Sequence, residues 1–230
     1  ELDVAGSRDH RDRRSGPGTG VRDLALAAAQ RLAQQGKKSL CLNFASAKNP
    51  GGGFLNGSQA QEESLARSSG LYATLIREEE MYRYNRGRKS CLYSDYMIYS
   101  PDVPVLRDDN GELLEQVYYT SFITSPAVNA GVVKAREPDN IARIEQVTRE
   151  RLEKVLWVAH RHQHDTLVLG AWGCGVFAND PAMISALFDE VLGEGDRLAG
   201  YFKHIVYAVY DRTASQSVYS AFAGLEKRKS

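Results

Sequence analysis

A glycine triplet that runs through a short spacer into a Gln-Glu-Glu sequence constrains this chain more than any other feature. Three successive glycines place no Cβ between the main chain and a ligand, so their peptide N–H groups can approach a phosphate or a ribose. After the triplet, Ser58 and Gln61 have the spacing of a capping box, which predicts a helix that begins near Gln59. Glu62 and Glu63 then lie in or just after the first helical turn, where the helix dipole favours negative charge or an anionic ligand. The combination indicates chemistry on a nucleotide, although a glycine-rich turn before an acidic helix is ordinary on its own.

The charge balance argues against binding through overall charge. Twenty-nine basic and 29 acidic residues cancel, so the chain offers no global field for a nucleic-acid backbone, and we expect no direct DNA binding. With 43% hydrophobic residues, 230 residues can form the core of one domain. The sequence shows no apolar run of membrane-spanning length and no signal peptide, which predicts no membrane association. Cys41, Cys91 and Cys174 are odd in number and lack metal-type spacing, which favours a reducing, cytoplasmic location over a disulfide or zinc framework.

Strands alternate with helices along most of the chain, which favours a mixed sheet covered on both faces. Residues 1–20 are rich in Arg, Asp, Ser and Gly and lack an apolar period, which predicts a flexible or peripheral segment before a single domain over residues 21–230. The predicted strands are residues 40–45, 116–124, 166–169 and 204–210, and the predicted helices are residues 21–35, 58–76 and 140–162, one that begins at Asn179 or Asp180, and one around residues 218–225.

A second glycine-rich loop, over residues 170–180, follows a predicted strand and opens a helix. Loops at the carboxyl ends of strands form the ligand crevice of such sheets. The glycines again allow N–H groups to converge on an anion, towards which the next helix would point its positive end. The spacing is neither that of a dinucleotide-binding fingerprint nor that of a Walker A loop. This loop therefore predicts a further anion contact.

Together the two loops resemble those of the poly(ADP-ribose) glycohydrolases. Residues 51–53, the spacer over residues 54–60 and the following Gln-Glu-Glu match the signature of that family, and residues 41–50 resemble the strand and ribose loop of its compact, bacterial-type members. Residues 170–180 resemble the diphosphate loop of macrodomains. The resemblance implies an α/β, macrodomain-like three-layer α/β/α fold with a central mixed sheet. It also implies hydrolysis of ribose–ribose O-glycosidic bonds in poly(ADP-ribose), mainly from the chain end, with release of ADP-ribose.

The resemblance also implies roles for particular residues. Glu63 would be the general acid/base, and Glu62 would bind the polymer near the scissile bond. Asn49 would hydrogen-bond the distal ribose, against which Phe177 would pack. The other expected substrate contacts are Gly51, Gly52, Gly53 and Gln61 in the first loop and Gly173, Cys174, Gly175 and Val176 in the second, with Tyr210, Asp211 and Arg212 bordering the adenine.

Hydrolysis of a ribose–ribose O-glycosidic bond can be catalysed by one carboxyl group that acts first as an acid and then as a base. Cleavage passes through an oxocarbenium-like state, so the leaving hydroxyl must be protonated and a water later deprotonated. We expect Glu63 to keep its proton through burial, or through the negative charge of Glu62 and the substrate diphosphate. No cofactor and no metal is expected. The expected partners are poly(ADP-ribose) and ADP-ribose, with ADP-ribosylated proteins as substrates.

Two other functions stay open at this point. The chain could be a macrodomain that recognises ADP-ribose without cleaving it, although a reader has no need for an acid at the scissile bond. It could also be a hydrolase that uses Cys174, which lies among glycines before a helix start and would need an imidazole base. His160, His162 and His164 recur at two-residue spacing and do not share one helical face, so we interpret them as a solvated helix end.

Overall fold

A six-stranded mixed sheet forms the centre of the computed structural model, which describes residues 2–5, 24–193, 197–198 and 200–227. The strands are β1 (Leu2–Ala5), β2 (Ser39–Phe44), β3 (Ile98–Arg107), β4 (Leu113–Ser125), β5 (Thr166–Gly170) and β6 (His204–Ala208). Their order across the sheet is β1-β6-β5-β2-β4-β3. All neighbours are parallel except β3, which runs antiparallel to β4. The parallel strands therefore end at one edge of the sheet.

Helices cover both faces of the sheet. The helices are α1 (Leu24–Gln34), α2 (Gln61–Ser68), α3 (Leu71–Leu75), α4 (Glu79–Gly87), α5 (Ala130–Arg136), α6 (Ile144–Arg161), α7 (Pro181–Leu192) and α8 (Ser217–Lys227), with 3-10 turns at Phe54–Asn56 and Pro138–Arg143. Side chains alternate along β2, so Leu40 and Leu42 pack with α6, α7 and α8 while Cys41 packs with α1 to α4. The predicted three-layer α/β/α fold with a mixed sheet is confirmed.

The edge strands differ most from the sequence prediction. β3 was not predicted because Pro101 and Pro104 lie within it, but an edge strand tolerates proline and the pairing shifts between Ser100 and Val103. β1 lies inside the segment predicted to be flexible or peripheral, and Leu2–Ala5 form an edge strand of the sheet that pairs with β6. The rest of that segment lies outside the described residues.

Two helix predictions also need correction. The helix expected over residues 58–76 is broken at Ser69 and Gly70, because Ser69 bridges to Val105 and the Gly70 N–H donates to the Pro104 carbonyl at 2.9 Å. The helix expected from residue 140 begins as the 3-10 turn, which leaves Ile141 42% exposed instead of in the core. Tertiary pairing, which local periodicity does not report, decided both boundaries.

The histidines are not a simple solvated helix end. His164 is buried, and its Nε2 lies 2.8 Å from the Tyr99 hydroxyl. The His162 ring stacks on Tyr99 with 3.8 Å between centroids. These contacts lie before the amino end of β5, at the opposite edge of the sheet from the two glycine loops. The prediction of solvation is wrong for His164, because the Tyr99 hydroxyl provides a buried partner.

Candidate active site

The two glycine loops leave the sheet at the same edge. β2 ends at Phe44, which pairs with Ser125 at the end of β4, and β5 ends at Gly170, which pairs with Ala208 at the end of β6. A Cβ built on Gly170 would lie 3.0 Å from the Phe44 ring, so the β2 and β5 ends touch. Loops from neighbouring parallel strands thus meet where α/β sheets bind ligands.

Gln61 fixes the start of α2 on the end of β2. Its Nε2 donates to the Leu42 carbonyl at 2.9 Å, and its Oε1 accepts from the Phe44 N–H at 2.8 Å. Both polar atoms of the amide are thereby committed to the main chain. Gln61, which was expected as a substrate contact, thus sets the position of the two glutamates that follow it.

Glu63 caps the helix and ties it back to the glycine triplet. Its Oε2 accepts from the Ala60 N–H at 3.0 Å, and its Oε1 accepts from the Gly53 N–H at 2.8 Å. The helix begins at Gln61 after Ala60, so the predicted start near Gln59 and the predicted Ser58 capping box are wrong. Ala60 has no side-chain acceptor, and the capping contribution comes from the Glu63 carboxylate alone.

Glu62 is the more deeply buried of the two carboxyls, with 3% of its surface exposed against 8% for Glu63. Its Oε2 accepts from the Ser46 N–H at 2.6 Å, and its Oε1 lies 3.4 Å from Asn43 Nδ2. Burial raises the pKa of Glu62 to about 8, against the opposing effect of the Ser46 N–H, and the charge of Glu63 adds to the rise. We expected Glu63 to be the carboxyl that keeps its proton near neutral pH. The structure instead provides the burial that favours a retained proton at Glu62.

The glycine triplet makes room for these carboxylates. Gly51 and Gly52 have φ of +66° and +60°, a conformation in which other residues are strained. A Cβ on Gly52 would overlap Glu63 Oε1 and lie 3.0 Å from Glu62 Oε2, and one on Gly51 would lie 2.8 Å from the Tyr72 ring. The missing side chains thus allow the protein's own groups to approach the loop.

Main-chain N–H groups of the triplet are also used within the protein. The Gly53 N–H donates to Glu63 at 2.8 Å, and the Gly52 N–H donates to the Asn49 carbonyl at 3.0 Å. Two of the N–H groups expected to face the ligand are therefore hydrogen-bonded within the protein, one of them to the Glu63 carboxylate, which is buried and needs donors.

Sequence reasoning missed a tyrosine beside the carboxyls. Tyr82 on α4 is completely buried, and its hydroxyl has no hydrogen-bond partner among the described residues. Burial raises the pKa of Tyr82, and the charge of Glu62 raises it further, which places the phenol near that carboxyl. Its only sequence signal was membership of a tyrosine-rich stretch. On the same helix, Arg86 Nε donates to the Lys48 carbonyl at 2.8 Å and holds the loop that leads to Asn49.

The second loop is anchored at its base and open at its tip. Asn179 Nδ2 donates to the Val128 carbonyl at 2.7 Å and to the Gly173 carbonyl at 3.0 Å. Trp172 Nε1 donates to the Ser125 carbonyl at 3.0 Å, which ties the loop to the end of β4. At the tip, Val176 is 90% exposed. A rigid base therefore presents an accessible turn.

The tip contains main-chain donors without acceptors. Within the described part of the chain, the N–H groups of Gly173, Gly175, Val176 and Phe177 make no hydrogen bond. They precede α7, whose first turn is capped by Asp180, with its Oδ1 accepting from the Ala182 N–H at 2.9 Å. Consecutive free N–H groups before a helix start form an anion-binding nest.

Cys174 is poorly suited to act as a nucleophile. Burial raises the pKa of its thiol to about 12, and the charge of Asp180 contributes to the rise. The sulfur lies 3.9 Å from the Trp172 carbonyl, and no imidazole contacts it among the described residues. A reactive cysteine needs the opposite shift. The site thus disfavours the thiol mechanism.

Phe177 and Tyr93 form one wall of the site. Their ring centroids are 5.9 Å apart, and the Phe177 carbonyl accepts from the Gly131 N–H at 3.0 Å. Tyr93 is itself held in an unusual conformation with φ of +59°. Arg151, fully buried, stabilises that segment by donating to the Leu92 carbonyl at 2.8 Å and to Asp95 at 3.0 Å.

The segment after β6 is only partly available to a ligand. Asp211 Oδ2 accepts from the N–H groups of Val218 and Tyr219 at 2.9 and 3.2 Å, so its carboxylate caps α8. The Arg212 guanidinium lies 5.5 Å from the centre of the Tyr210 ring. Of the three residues expected to border adenine, only Tyr210 and Arg212 keep groups free for that contact.

Comparisons with known proteins place this site in a family context. The family model described as the catalytic domain of microbial-type PARG matches residues 19–108. The poly(ADP-ribose) glycohydrolase from Thermomonospora curvata, bound to the inhibitor ADP-HPD, is 45% identical with a TM-score of 0.85, over 97% of this chain and 78% of that one. The poly(ADP-ribose) glycohydrolase from Deinococcus radiodurans in complex with ADP-ribose is 41% identical with a TM-score of 0.85, over 99% of this chain and 85% of that one. The comparison with curated protein sequences gave no match. No helix of the described residues is long and apolar enough to cross a membrane.

Proposed function

We infer the chemical roles of the site from the premise that the chain belongs to the microbial-type poly(ADP-ribose) glycohydrolase family. It is a glycohydrolase that cleaves the ribose–ribose O-glycosidic bonds of poly(ADP-ribose), and we propose that it acts mainly from the chain end and releases ADP-ribose. The observation that carries the proposal is the pair of buried glutamates, of which one has a pKa raised to about 8.

The pair supplies the proton that the leaving hydroxyl needs. With a pKa of about 8, Glu62 is mostly protonated at neutral pH, and the charge of Glu63 contributes to that rise. Glu63 is the more exposed of the two and lies at the end of the glycine loop, so we propose that Glu63 takes up the proton held by Glu62 and passes it to the leaving hydroxyl. Each carboxyl oxygen of Glu63 accepts one N–H and keeps a second lone pair for a proton.

The same carboxyl then acts as a base. Once the bond to the leaving ribose breaks, the distal sugar carries oxocarbenium character and a water must be deprotonated on attack. Glu63, having given up its proton, takes one from that water and returns the pair to its starting state. Glu62 stays enclosed throughout and positions the polymer near the scissile bond, while the bound diphosphate stabilises the positive sugar.

Substrate recognition is divided between the loops. The free N–H groups of Gly173, Gly175, Val176 and Phe177 support diphosphate binding by the second loop. The Asn49 side chain is exposed and supports a hydrogen bond to the distal ribose, against which Phe177 packs. Tyr210 and Arg212 would border the adenine. The substrates would include ADP-ribosylated proteins, and three free cysteines support a reducing location such as the cytoplasm.

The test is an assay of purified protein with poly(ADP-ribose) and no added metal. We expect free ADP-ribose to accumulate with wild-type protein, and no accumulation with Glu63→Gln. Tight binding of ADP-ribose without release from the polymer would favour a reader. Release of long fragments before ADP-ribose would overturn the preference for the chain end.

A further inference from the structure

A cavity of about 540 Å³ takes no part in the mechanism described above. Its size is within the range of small-molecule sites. It lies between α4, the segment that follows α4, and α6. The residues that define it chemically are Tyr84, Arg88, Tyr93, Tyr96, Arg143 and Arg151.

The cavity offers an aromatic surface. The rings of Tyr84 and Tyr96 lie 4.9 Å apart, and 45% and 40% of these residues is exposed. The Arg88 guanidinium lies 5.6 Å from the centre of the Tyr84 ring and 3.3 Å from its hydroxyl. Exposed aromatic rings next to a guanidinium are the elements on which proteins stack nucleobases.

The cavity also carries positive charge that is not neutralised. Arg151 forms an ion pair with Asp95, and its guanidinium also donates hydrogen bonds to main-chain carbonyls, so its charge is compensated. Arg88 and Arg143, in contrast, form no ion pair with a carboxylate in the described ranges of the chain. The lining also includes Glu150, which leaves three arginines against two acidic residues. Guanidinium groups without a carboxylate partner, next to aromatic rings, match the phosphate and base of a nucleotide.

The cavity shares one lining residue with the wall of the proposed active site. Tyr93 lines the cavity, and its ring also packs against Phe177, the residue assigned to the distal ribose. Helix α4 separates the two spaces, because Tyr82 lies by Glu62 while Tyr84, two residues further on, faces the cavity. Residues two apart lie on nearly opposite sides of a helix.

We propose that this cavity is a leaving-side subsite, which binds the adenosine phosphate portion of the polymer unit released from the distal ribose. The proposal rests on the proposed function, since only a polymer substrate has a unit on both sides of the scissile bond. The terminal unit occupies the two glycine loops, and the next unit reaches the cavity past Tyr93 and Phe177. The subsite adds affinity for the chain without contacting the reacting atoms.

The experiment compares ligands of one and several units. In a Glu63→Gln background, which keeps polymer intact, we would measure binding of ADP-ribose by calorimetry and of labelled ADP-ribose oligomers by fluorescence anisotropy. The test variant is Tyr84→Ala with Arg88→Gln. The matched control is Arg83→Gln, which removes one charge from the same helix outside the cavity lining.

The test variant should weaken oligomer binding by about tenfold, the contribution of a base stack, and leave ADP-ribose binding unchanged. The control should change neither. Unchanged oligomer affinity in the test variant, or an equal loss for ADP-ribose and oligomer, would overturn the subsite. Failure of the proposed function would be seen separately, as absence of ADP-ribose release by the wild type, because the binding comparison does not require turnover.

Discussion

The two glycine loops leave neighbouring regions of one sheet edge, yet their main-chain donors serve opposite purposes. In the first loop, the Gly53 N–H is used on Glu63 and the Gly52 N–H on the Asn49 carbonyl. In the second loop, three consecutive N–H groups from Gly175 onwards are free. Similar glycine content therefore builds an acid pair in one loop and an anion nest in the other.

Burial has different chemical results in the two loops. It raises the pKa of Glu62 to about 8 and that of Cys174 to about 12. A carboxyl with the first value retains its proton at neutral pH and can still exchange it. A thiol with the second value holds its proton at neutral pH and is neither a nucleophile nor a base. Desolvation therefore gives the first loop a carboxyl that can exchange a proton near neutral pH, and it leaves the second loop with an unreactive thiol.

The strongest test of this division is Glu63→Gln. The loss of the acid/base group should lower kcat by about 10³-fold or more, in the range known for general acid–base catalysis. ADP-ribose affinity should stay within about tenfold, because the anion nest is untouched. Rates would come from release of ADP-ribose and affinity from calorimetry.

The Gln side chain of the Glu63→Gln variant is also expected to lower the stability of the fold, so stability must be measured alongside activity. Its NH₂ group would face either the Gly53 or the Ala60 N–H, which costs about 1–3 kcal/mol of stability. Thermal unfolding should therefore accompany the kinetics. A folded variant with wild-type turnover would remove Glu63 from the mechanism and assign the chemistry elsewhere.

Phe177→Ala tests whether the second loop positions the distal ribose in addition to binding the diphosphate. Removing the ring leaves the free N–H groups in place but releases the distal ribose, and such misplacement can cost on the order of a hundredfold in rate. kcat should fall more than ADP-ribose affinity does. Val176→Ala is the control, since that side chain is 90% exposed. Equal losses in kcat and affinity would show that Phe177 contributes binding alone.

Matched glycine substitutions test whether the loops differ in packing. Gly52→Ala places a Cβ against both glutamates at φ of +60°, and should lower the free energy of unfolding by about 1–3 kcal/mol as well as reduce activity. Gly175→Ala meets open space and should stay within about 0.5 kcal/mol of the wild type. Chemical denaturation measures both. Equal destabilisation would contradict the distinction between the loops.

The pKa of Glu62 predicts how stability changes with pH. The folded value of about 8 lies above the ordinary value of 4.5, so the protonated carboxyl is favoured by folding. The resulting stabilisation is fully present below pH 4.5 and is lost progressively as the pH rises towards 8. Glu62→Gln should flatten this dependence, because the amide is neutral at every pH.

The geometry favours Gln as a mimic of protonated Glu62. Its carbonyl can accept from the Ser46 N–H, and its NH₂ would lie where Glu62 Oε1 now faces Asn43 Nδ2 at 3.4 Å, so the Asn43 amide must turn its Oδ1, which has no partner among the described residues, towards the new donor. Unfolding midpoints at about pH 5 and pH 8.5 would be compared for both proteins, on either side of the transition. If the unfolding midpoints of wild type and Glu62→Gln changed equally between the two pH values, ionisation of Glu62 would carry no cost in stability, which would contradict the raised pKa.

Cys174→Ala should have the smallest effect. Cys174 does not have a positive φ, so Ala is compatible with its backbone, and the loop donors come from the main chain. Activity should stay within about twofold, and intact mass during turnover should show no covalent sugar adduct. Inactivity of folded Cys174→Ala and Cys174→Ser, together with an adduct on the wild-type thiol, would reverse the roles assigned to the two loops.

The sequence by itself determined the parts of this protein that depend on local patterning. Short apolar runs placed β2 and β5 within about one residue, and Asp180 followed by Pro181 marked the start of α7. The spacing of Gly51 to Glu63 identified the family and placed the carboxyl pair at a helix start. These features could be read because glycines, caps and side-chain periodicity act over a few residues.

Only the tertiary structure decided how those parts are used. β3 forms in spite of its prolines because β4 pairs with it, and α2 ends at Ser68 because Ser69 bridges to Val105. The raised pKa of Glu62 comes from its enclosure, with Tyr82 among its neighbours. Burial, donor assignment and strand pairing join residues far apart along the chain, and their free energies depend on that packing and not on local sequence.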